Sequence, residues 1–157
     1  MKGILFVLSL LVFSSGSLLA QNNPFEGTWK LNLAKSKFEP GPAPKSLTRT
    51  IVAQADGAKY TFDGVSADGK PISYSFTVKY DGKDYPVTGT GMPAGADSIA
   101  IRLVGTNKAE AIQKRAGKEV AKAEAEVSKD GKASTVTTKG KTVDGKELRS
   151  ESVYDKQ

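Results

Sequence analysis

Residues 71–80 read PISYSFTVKY, and this stretch decides the fold. Apolar and polar side chains alternate along it without interruption, which is the period of a β-strand that is buried on one face. The face predicted to be buried carries Ile72, Tyr74, Phe76, Val78 and Tyr80. An amphipathic helix would instead place its apolar residues three and four positions apart. The stretch therefore predicts a strand with an aromatic inner face.

A second alternating segment lies near the start of the chain, at Phe25–Leu33. Its inner face is predicted to carry Phe25, Gly27, Trp29, Leu31 and Leu33. Further strands are predicted at residues 46–54, 58–63, 84–89, 97–105, 132–139 and 146–155. Strands this short and this regular indicate an all-β meander, sandwich or barrel.

Asp-Gly pairs separate many of these strands. Such a pair favours a tight hairpin turn, because both residues tolerate positive φ. The pairs interpreted as turns are Asp56-Gly57, Asp63-Gly64, Asp68-Gly69, Asp81-Gly82, Asp130-Gly131 and Asp144-Gly145. The recurrence supports an antiparallel arrangement of neighbouring strands.

Two segments lack a simple pattern. Residues 34–45 include Pro40-Gly41-Pro42-Ala43-Pro44, which predicts an irregular connection. Residues 107–127 are rich in Ala, Lys and Glu, and propensity alone favours a helix there. However, Gly117 interrupts this segment, and alanines alternate with charged residues after it. We therefore predict a β-hairpin that turns at Ala116-Gly117, with a helix pair as the alternative.

Residues 1–20 have the features of a secretory signal peptide. Lys2 precedes an apolar run of about 10 residues, and small residues follow it. The run is too short for a membrane span, which needs about 20 residues. Cleavage is expected after Ala20, or alternatively after Ser17. A third interpretation is that the segment remains uncleaved as an N-terminal anchor. The prediction is a secreted or periplasmic protein whose residues 21–157 form a single domain.

The composition excludes several classes of site. The chain has no Cys and no His, so disulfides and the usual ligands of zinc, copper, haem and iron–sulfur clusters are missing. Ser-His and Cys-His nucleophile pairs are missing for the same reason. The net charge is +6, but the lysines are scattered among acids rather than clustered with aromatics. We therefore expect no cofactor, no metal and no nucleic-acid partner.

Both ends of the mature chain resemble one superfamily. Phe25-Glu26-Gly27-Thr28-Trp29-Lys30-Leu31 is similar to the Gly-x-Trp first strand of the calycins, the lipocalins and fatty-acid-binding proteins. Ser152-Val153-Tyr154-Asp155-Lys156 resembles the last strand of the intracellular lipid-binding branch. The chain also resembles secreted bacterial proteins with a lipocalin-like domain.

The resemblance implies an antiparallel up-and-down β-barrel of eight to ten strands. In such a barrel Trp29 plugs the closed end, the first and last strands pair, and the interior is filled by side chains or holds one small ligand.

This chain departs from the superfamily pattern in three ways. Ser152 stands where the lipid-binding branch often has an Arg for a fatty-acid carboxylate, and Arg149 is predicted on the opposite face from Tyr154. Residues 34–45 are too short and too rich in Pro for a two-helix lid. The Thr-Asp-Tyr motif of lipocalins is also missing, and Asp81-Gly82-Lys83-Asp84-Tyr85 is better explained as a turn.

Three other patterns favour structural roles. The glycine-rich residues 89–95 lead into a strand rather than a helix, so they predict a wide loop at a barrel mouth instead of a phosphate site. Asp63, Asp68, Asp81 and Asp84 lack the spacing of a calcium loop and are interpreted as turn residues. Arg102 is predicted to face solvent.

The candidate site is the inner wall of the barrel. Its proposed ligand-binding residues are Trp29, Tyr60, Phe62, Tyr74, Phe76, Ser152 and Tyr154. Small residues share the inner faces and would leave space there: Ala121, Ala123, Ala125, Ser150 and Ser152. We expect a monomeric, non-enzymatic binder of a small apolar or amphipathic molecule. An envelope interaction module with a filled barrel is the main alternative, and a hydrolase built on Ser, Lys, Asp or Glu is the third.

Overall fold

The computed structural model describes residues 23–157, and the predicted signal peptide lies outside them. The fold is all-β, with two short 3-10 turns at Leu33–Lys35 and Pro93–Gly95. The strands are β1 (Gly27–Leu31), β2 (Lys37–Glu39), β3 (Ser46–Gln54), β4 (Gly57–Val65), β5 (Pro71–Val78), β6 (Asp81–Pro86), β7 (Thr88–Thr90), β8 (Ser98–Leu103), β9 (Lys108–Arg115), β10 (Lys118–Val127), β11 (Ala133–Lys141) and β12 (Glu147–Lys156).

One antiparallel sheet contains all the strands and curls into a nearly closed barrel. The strand order is β6-β8-β9-β10-β11-β12-β1-β3-β4-β5-β7, with β2 added beside β12. The two edge strands, β6 and β7, follow each other in the chain and are separated only by Val87. This connection brings the two edges of the sheet together, so few backbone groups remain unpaired at an open edge.

The first and last strands pair, as the resemblance implied. Trp29 of β1 lies opposite Lys156 of β12, and Leu31 lies opposite Tyr154. On its other side β1 pairs with β3, so β1 joins β12 to β3 and closes this part of the barrel.

The two ends of the barrel differ. At one end a packed core forms a floor, whose fully buried side chains are Phe25, Trp29, Ile51, Val78, Val127 and Ser134. Five connections lie at the other end: residues 40–45, 66–70, 91–97, 116–117 and 142–146. We call the first three, which contribute to the cavity wall, the mouth loops. The glycine-rich segment contributes to this end, where the sequence predicted a barrel-mouth loop.

The predicted alternation holds in β5. Tyr74, Phe76 and Val78 are buried, and Ile72 and Tyr80 are half-buried. The predicted hairpin in residues 107–127 is also confirmed, as β9 and β10. Ala116 and Gly117 have φ of 49° and 75°, which is the conformation that a tight hairpin turn requires.

Four details of the sequence-based prediction are wrong. Asp81-Gly82 is not a turn but the start of β6, whose pairing with β8 is irregular between Asp81 and Asp84. Asp63-Gly64 is not a turn but part of β4, and a β-carbon at Gly64 would collide with the carbonyl oxygen of Ser46 on β3. Glycine is present because the two backbones approach closely. Leu33 leaves the inner face, since the chain turns after β1, and it is 43% exposed. The strands number twelve rather than eight to ten, because the short β2 and β7 were not predicted.

Candidate functional site

The barrel encloses a cavity of about 680 Å³ between the floor and the mouth loops. Inner-face side chains of the strands form its wall, and Pro42, Pro44, Ala67 and Met92 contribute from the mouth loops. Of the small residues predicted to leave space, Ala123, Ala125, Ser150 and Ser152 line the cavity. Ala121 is buried but is not part of the wall. The space exists because these inner positions of β10 and β12 carry short side chains.

Six of the seven predicted site residues lie together on the cavity wall: Tyr60, Phe62, Tyr74, Phe76, Ser152 and Tyr154. Trp29 is the exception. It is fully buried in the floor, where its Nε1 donates a hydrogen bond to the carbonyl oxygen of Phe25 at 2.8 Å. The guanidinium carbon of Arg49 lies 5.5 Å from the centre of the Trp29 ring. Trp29 therefore supports the site from below.

Aromatic rings on β4 and β5 form one side of the wall. Tyr60 stacks on Phe76 with 4.9 Å between ring centres, and Phe62 stacks on Tyr74 at 4.5 Å. Each stack joins residues that lie directly opposite each other in the β4–β5 register. Such cross-strand pairs hold the rings in place and make this side a fixed apolar surface.

Arg49 is a buried cation on β3, directly opposite Phe62 in the β3–β4 register. It is 4% exposed, and its Nη2 donates a hydrogen bond to Ser134 Oγ at 2.9 Å. Its guanidinium carbon lies 4.5 Å from the centre of the Tyr154 ring. Within residues 23–157, no carboxylate forms an ion pair with it. Burial lowers the pKa of Arg49, and the neighbouring tyrosines, Tyr154 first, partly oppose this effect.

Two buried side-chain atoms in the described part of the chain have no hydrogen-bond partner, and both belong to cavity residues. They are Nε of Arg49 and Oε1 of Gln113. Gln113 lies on β9 and is 6% exposed. Buried polar groups in folded proteins are nearly always satisfied, so a pair of exceptions in one cavity points to a partner that comes from outside the chain.

The cavity wall divides into two halves. Its side chains from β4, β5 and β8 are aromatic or aliphatic: Tyr60, Phe62, Ile72, Tyr74, Phe76, Ile99 and Ile101. The non-aromatic polar side chains that are buried in the wall come from β3, β9, β11 and β12: Arg49, Gln113, Thr138 and Ser152. This second half also carries apolar side chains, such as Leu47, Ala123 and Val136. An occupant would thus meet hydrocarbon on one side and a few polar groups among apolar ones on the other.

Sequence reasoning missed both Arg49 and Gln113. A signal for Arg49 was present, because it stands between Leu47 and Ile51 at inner positions of the predicted strand 46–54. Gln113 follows Ala109 and Ala111 at the same two-residue interval, but those small residues gave the strand no clear inner face.

The remaining sequence candidates are Arg102 and four aspartates, of which Asp68 lies in a turn, Asp63 in β4, and Asp81 and Asp84 in β6. Arg102 faces solvent, as predicted, and pairs with Glu110 at 2.6 Å. Asp68 accepts a hydrogen bond from Ser66 Oγ, and its pKa is lowered first by its contact with Lys70 and next by this hydroxyl. No group of three or more acidic side chains in residues 23–157 is placed to hold a metal ion. That same range contains no helix long and apolar enough to cross a membrane.

Comparisons with known proteins place this barrel by its fold. No protein-family model matches the sequence. No curated protein matches it either. Among solved structures, Rv2717c from M. tuberculosis aligns with a TM-score of 0.52 and 16% identity, covering 85% of this chain and 93% of that one.

Two further structures align less closely. The zebrafish ileal bile acid-binding protein in complex with cholic acid gives a TM-score of 0.49 at 14% identity, over 85% of this chain and 99% of the other. The siderocalin Ex-FABP gives a TM-score of 0.44 at 12% identity, over 85% of this chain and 74% of the other. The alignment with Rv2717c shows a shared all-β barrel fold, and an identity of 16% concerns the fold alone.

Proposed function

We propose that this protein binds one small amphipathic molecule inside the barrel and carries out no catalysis. The observation that carries the proposal is the cavity of about 680 Å³, because small-molecule sites usually occupy about 300–1,000 Å³. Its wall is largely apolar and has a few polar groups that could orient a ligand. The stacked rings on β4 and β5 would contact the apolar body of the ligand.

Arg49 is the proposed contact for the polar end of the ligand. A guanidinium buried without a carboxylate keeps a full charge in a poorly solvated place, and an anion would compensate that charge. Planar anions such as carboxylates suit the donor geometry of Arg. This contact differs from the one in the lipid-binding branch, because it comes from β3 rather than from the position of Ser152 on β12.

The second candidate function, an envelope module with a filled barrel, is less favoured. That function needs an interior closed by side chains, whereas here short side chains on β10 and β12 leave room. A smaller cavity lies on the outer face between β9, β10 and β11. It is bordered by four charged residues and two threonines, together with Val104, Ala109 and Ala125.

We also propose that the protein acts outside the cytoplasm, in the periplasm or the medium, after removal of residues 1–20. The apolar run after Lys2 and the small residues that follow it support this proposal. N-terminal sequencing of the exported protein should begin at Gln21, or at Leu18 if cleavage follows Ser17. A mature chain that still begins at Met1 would contradict the proposal.

The binding proposal is tested with two fluorescent probes of similar shape and different charge. Anilinonaphthalene sulfonate is an anion, and N-phenylnaphthylamine is its neutral counterpart. The protein should bind both, and it should bind the anion more tightly. Arg49→Met should weaken the anion about tenfold or more and leave the neutral probe nearly unchanged, because only the charge-assisted contact is lost.

Arg102→Met is the matched control, since it removes an arginine that faces solvent. Native mass spectrometry of the protein from its own host's secretory compartment should in addition detect a co-purified small molecule. Failure of the wild-type protein to bind either probe, together with the absence of any co-purified molecule, would overturn the proposed function.

A further inference from the structure

Gln113 is a polar group that the proposed function does not yet use. An apolar body and a single head group at Arg49 would leave the Gln113 amide facing the cavity without a partner. Gln113 is 6% exposed, lines the cavity, and its Oε1 has no hydrogen-bond partner within residues 23–157. A buried amide in that state is unfavourable unless another molecule completes its hydrogen bonds.

The position of Gln113 separates it from the head-group contact. Arg49 lies on β3 and Gln113 on β9, and four strands, β10, β11, β12 and β1, lie between them in the sheet. The guanidinium of Arg49 reaches Ser134, which lies opposite Val127 of β10, whereas Gln113 lies opposite Ala121 of the same strand. Six positions of β10 separate these two levels, or about 20 Å at about 3.3 Å per residue, so the two polar groups lie on well-separated parts of the wall. One compact head group therefore contacts Arg49 alone, and Gln113 faces a different part of the ligand.

The surroundings of Gln113 define the chemistry that it would accept. Its neighbours on the inner face are apolar. They are Ala111 on β9, Ala121 directly opposite on β10 and Ile99 directly opposite on β8. Thr138 lies on the next strand and is 8% exposed. Glu110, the charged residue of β9 that lines the cavity, is paired with Arg102, so the complementary group is neutral. An amide both donates and accepts, and a hydroxyl matches both functions with one atom.

We propose that Gln113 is a specificity-determining residue, and that the ligand is an anionic amphiphile carrying a hydroxyl group on its apolar body. This inference rests on the proposed function and adds the substrate class to it. The anionic head contacts Arg49, the hydroxyl contacts Gln113, and the hydrocarbon between them lies against the rings of β4 and β5. A ligand without the hydroxyl leaves the amide unsatisfied and binds less tightly for that reason.

The test uses hexadecanoate and a set of hydroxyhexadecanoates that carry the hydroxyl near the carboxylate, at mid-chain or at the far end. Affinities are measured by displacement of the neutral fluorescent probe. At least one hydroxylated acid should bind the wild-type protein about tenfold more tightly than hexadecanoate, which is the contribution of about one buried hydrogen bond. The hydroxyl near the carboxylate should give no advantage, because Gln113 lies away from Arg49.

Two substitutions assign the preference to Gln113. Gln113→Met keeps the size of the side chain and removes its polar atoms. It should abolish the hydroxyl preference and bind hexadecanoate more tightly than wild type does, because no amide is then left unsatisfied. Gln113→Leu is the second variant. The matched control is Gln54→Met, because Gln54 is an exposed glutamine in β3. Ligand-free Gln113→Met should melt no lower than wild type, since it removes an unsatisfied buried atom.

The outcomes separate the two proposals. Equal binding of all the acids by the wild-type protein would overturn the role of Gln113 and leave the proposed function standing. A hydroxyl preference that survives in both Gln113 variants would overturn it as well. If the wild-type protein binds none of the acids and neither fluorescent probe, the proposed function fails and the inference fails with it.

Discussion

Replacing Arg49 by Met distinguishes a ligand contact from a structural element. Arg49 donates to Ser134 Oγ and lies over the rings of Trp29 and Tyr154, which together favour it in the folded protein. A hydrogen bond from a charged group contributes about 1.5–3 kcal/mol. Each desolvated cation–π contact adds up to about 2 kcal/mol. Against them stands the desolvation of a guanidinium without a carboxylate, which costs several kcal/mol.

These opposing contributions nearly cancel, so we expect Arg49→Met to change the free energy of unfolding by no more than about 2 kcal/mol. Most of that loss would come from Ser134, whose buried hydroxyl is left without its partner. The double variant Arg49→Met with Ser134→Ala removes both polar partners. It should unfold within about 1 kcal/mol of wild type, because replacing both members of a buried pair is often nearly neutral.

The assay is urea unfolding of residues 21–157, followed by Trp29 fluorescence and circular dichroism. The double variant should recover the midpoint that the single variant loses, while both variants bind anilinonaphthalene sulfonate weakly. A loss of about 3–5 kcal/mol in both variants, with unchanged binding of the anionic probe, would refute the reasoning. Arg49 would then be part of the floor and not a contact for ligand.

Three further predictions follow from the same structure. Trp29→Ala should lower the free energy of unfolding by about 3–5 kcal/mol, because the ring is fully buried. Wild-type Trp29 fluorescence should be blue-shifted and resistant to quenching by acrylamide, and free quenching would contradict the position of Trp29 in the floor. Burial raises the pKa of Tyr74 well above its usual value of 10.0, so stability should be fully present below pH 10 and fall as the pH rises further, when only the unfolded chain ionises. Alkaline titration of the melting temperature measures this fall, and Tyr74→Phe should make it shallower. Gly64→Ala should lower the melting temperature by several degrees, because its β-carbon would collide with Ser46. Gly131→Ala should lower the melting temperature less, because the space around its β-carbon is open.

Much of the fold could be predicted from local pattern. The alternation in residues 71–80 determined which side chains of β5 face inward, and the turn at Ala116-Gly117 outweighed the helical propensity of its neighbours. Alternation is a strong signal where one face is apolar and the other is polar, because a shift by one residue would expose the whole core face. The error at Asp63-Gly64 has a different cause. The same dipeptide suits a turn and a close strand approach, and only the pairing of β4 with β3 decides between them.

The polar part of the site could not be predicted in the same way. Arg49 and Ser134 are 85 residues apart in sequence, and their contact depends on how β3 and β11 meet across the barrel. A charged residue at an inner strand position conflicts with the alternation of apolar inner and polar outer residues. The neighbouring residues in the sequence do not show which group it would contact. Gln113 stands in a segment of Ala, Lys and Glu whose inner face is defined only after β9 and β10 have paired.

The conflict with the pattern is itself informative about function. A barrel under selection for stability alone would carry apolar side chains at both positions, as it does at Leu47, Ile51 and Ala111 beside them. Instead, the two buried side-chain atoms without partners in residues 23–157 both belong to the wall of one cavity of about 680 Å³. Departures from the apolar pattern of a core are expected at binding sites, where function requires residues that lower stability. The unsatisfied groups are a cation and a neutral amide on separate parts of the wall. One molecule with an anionic end and a distant hydroxyl would supply a hydrogen-bond partner to both.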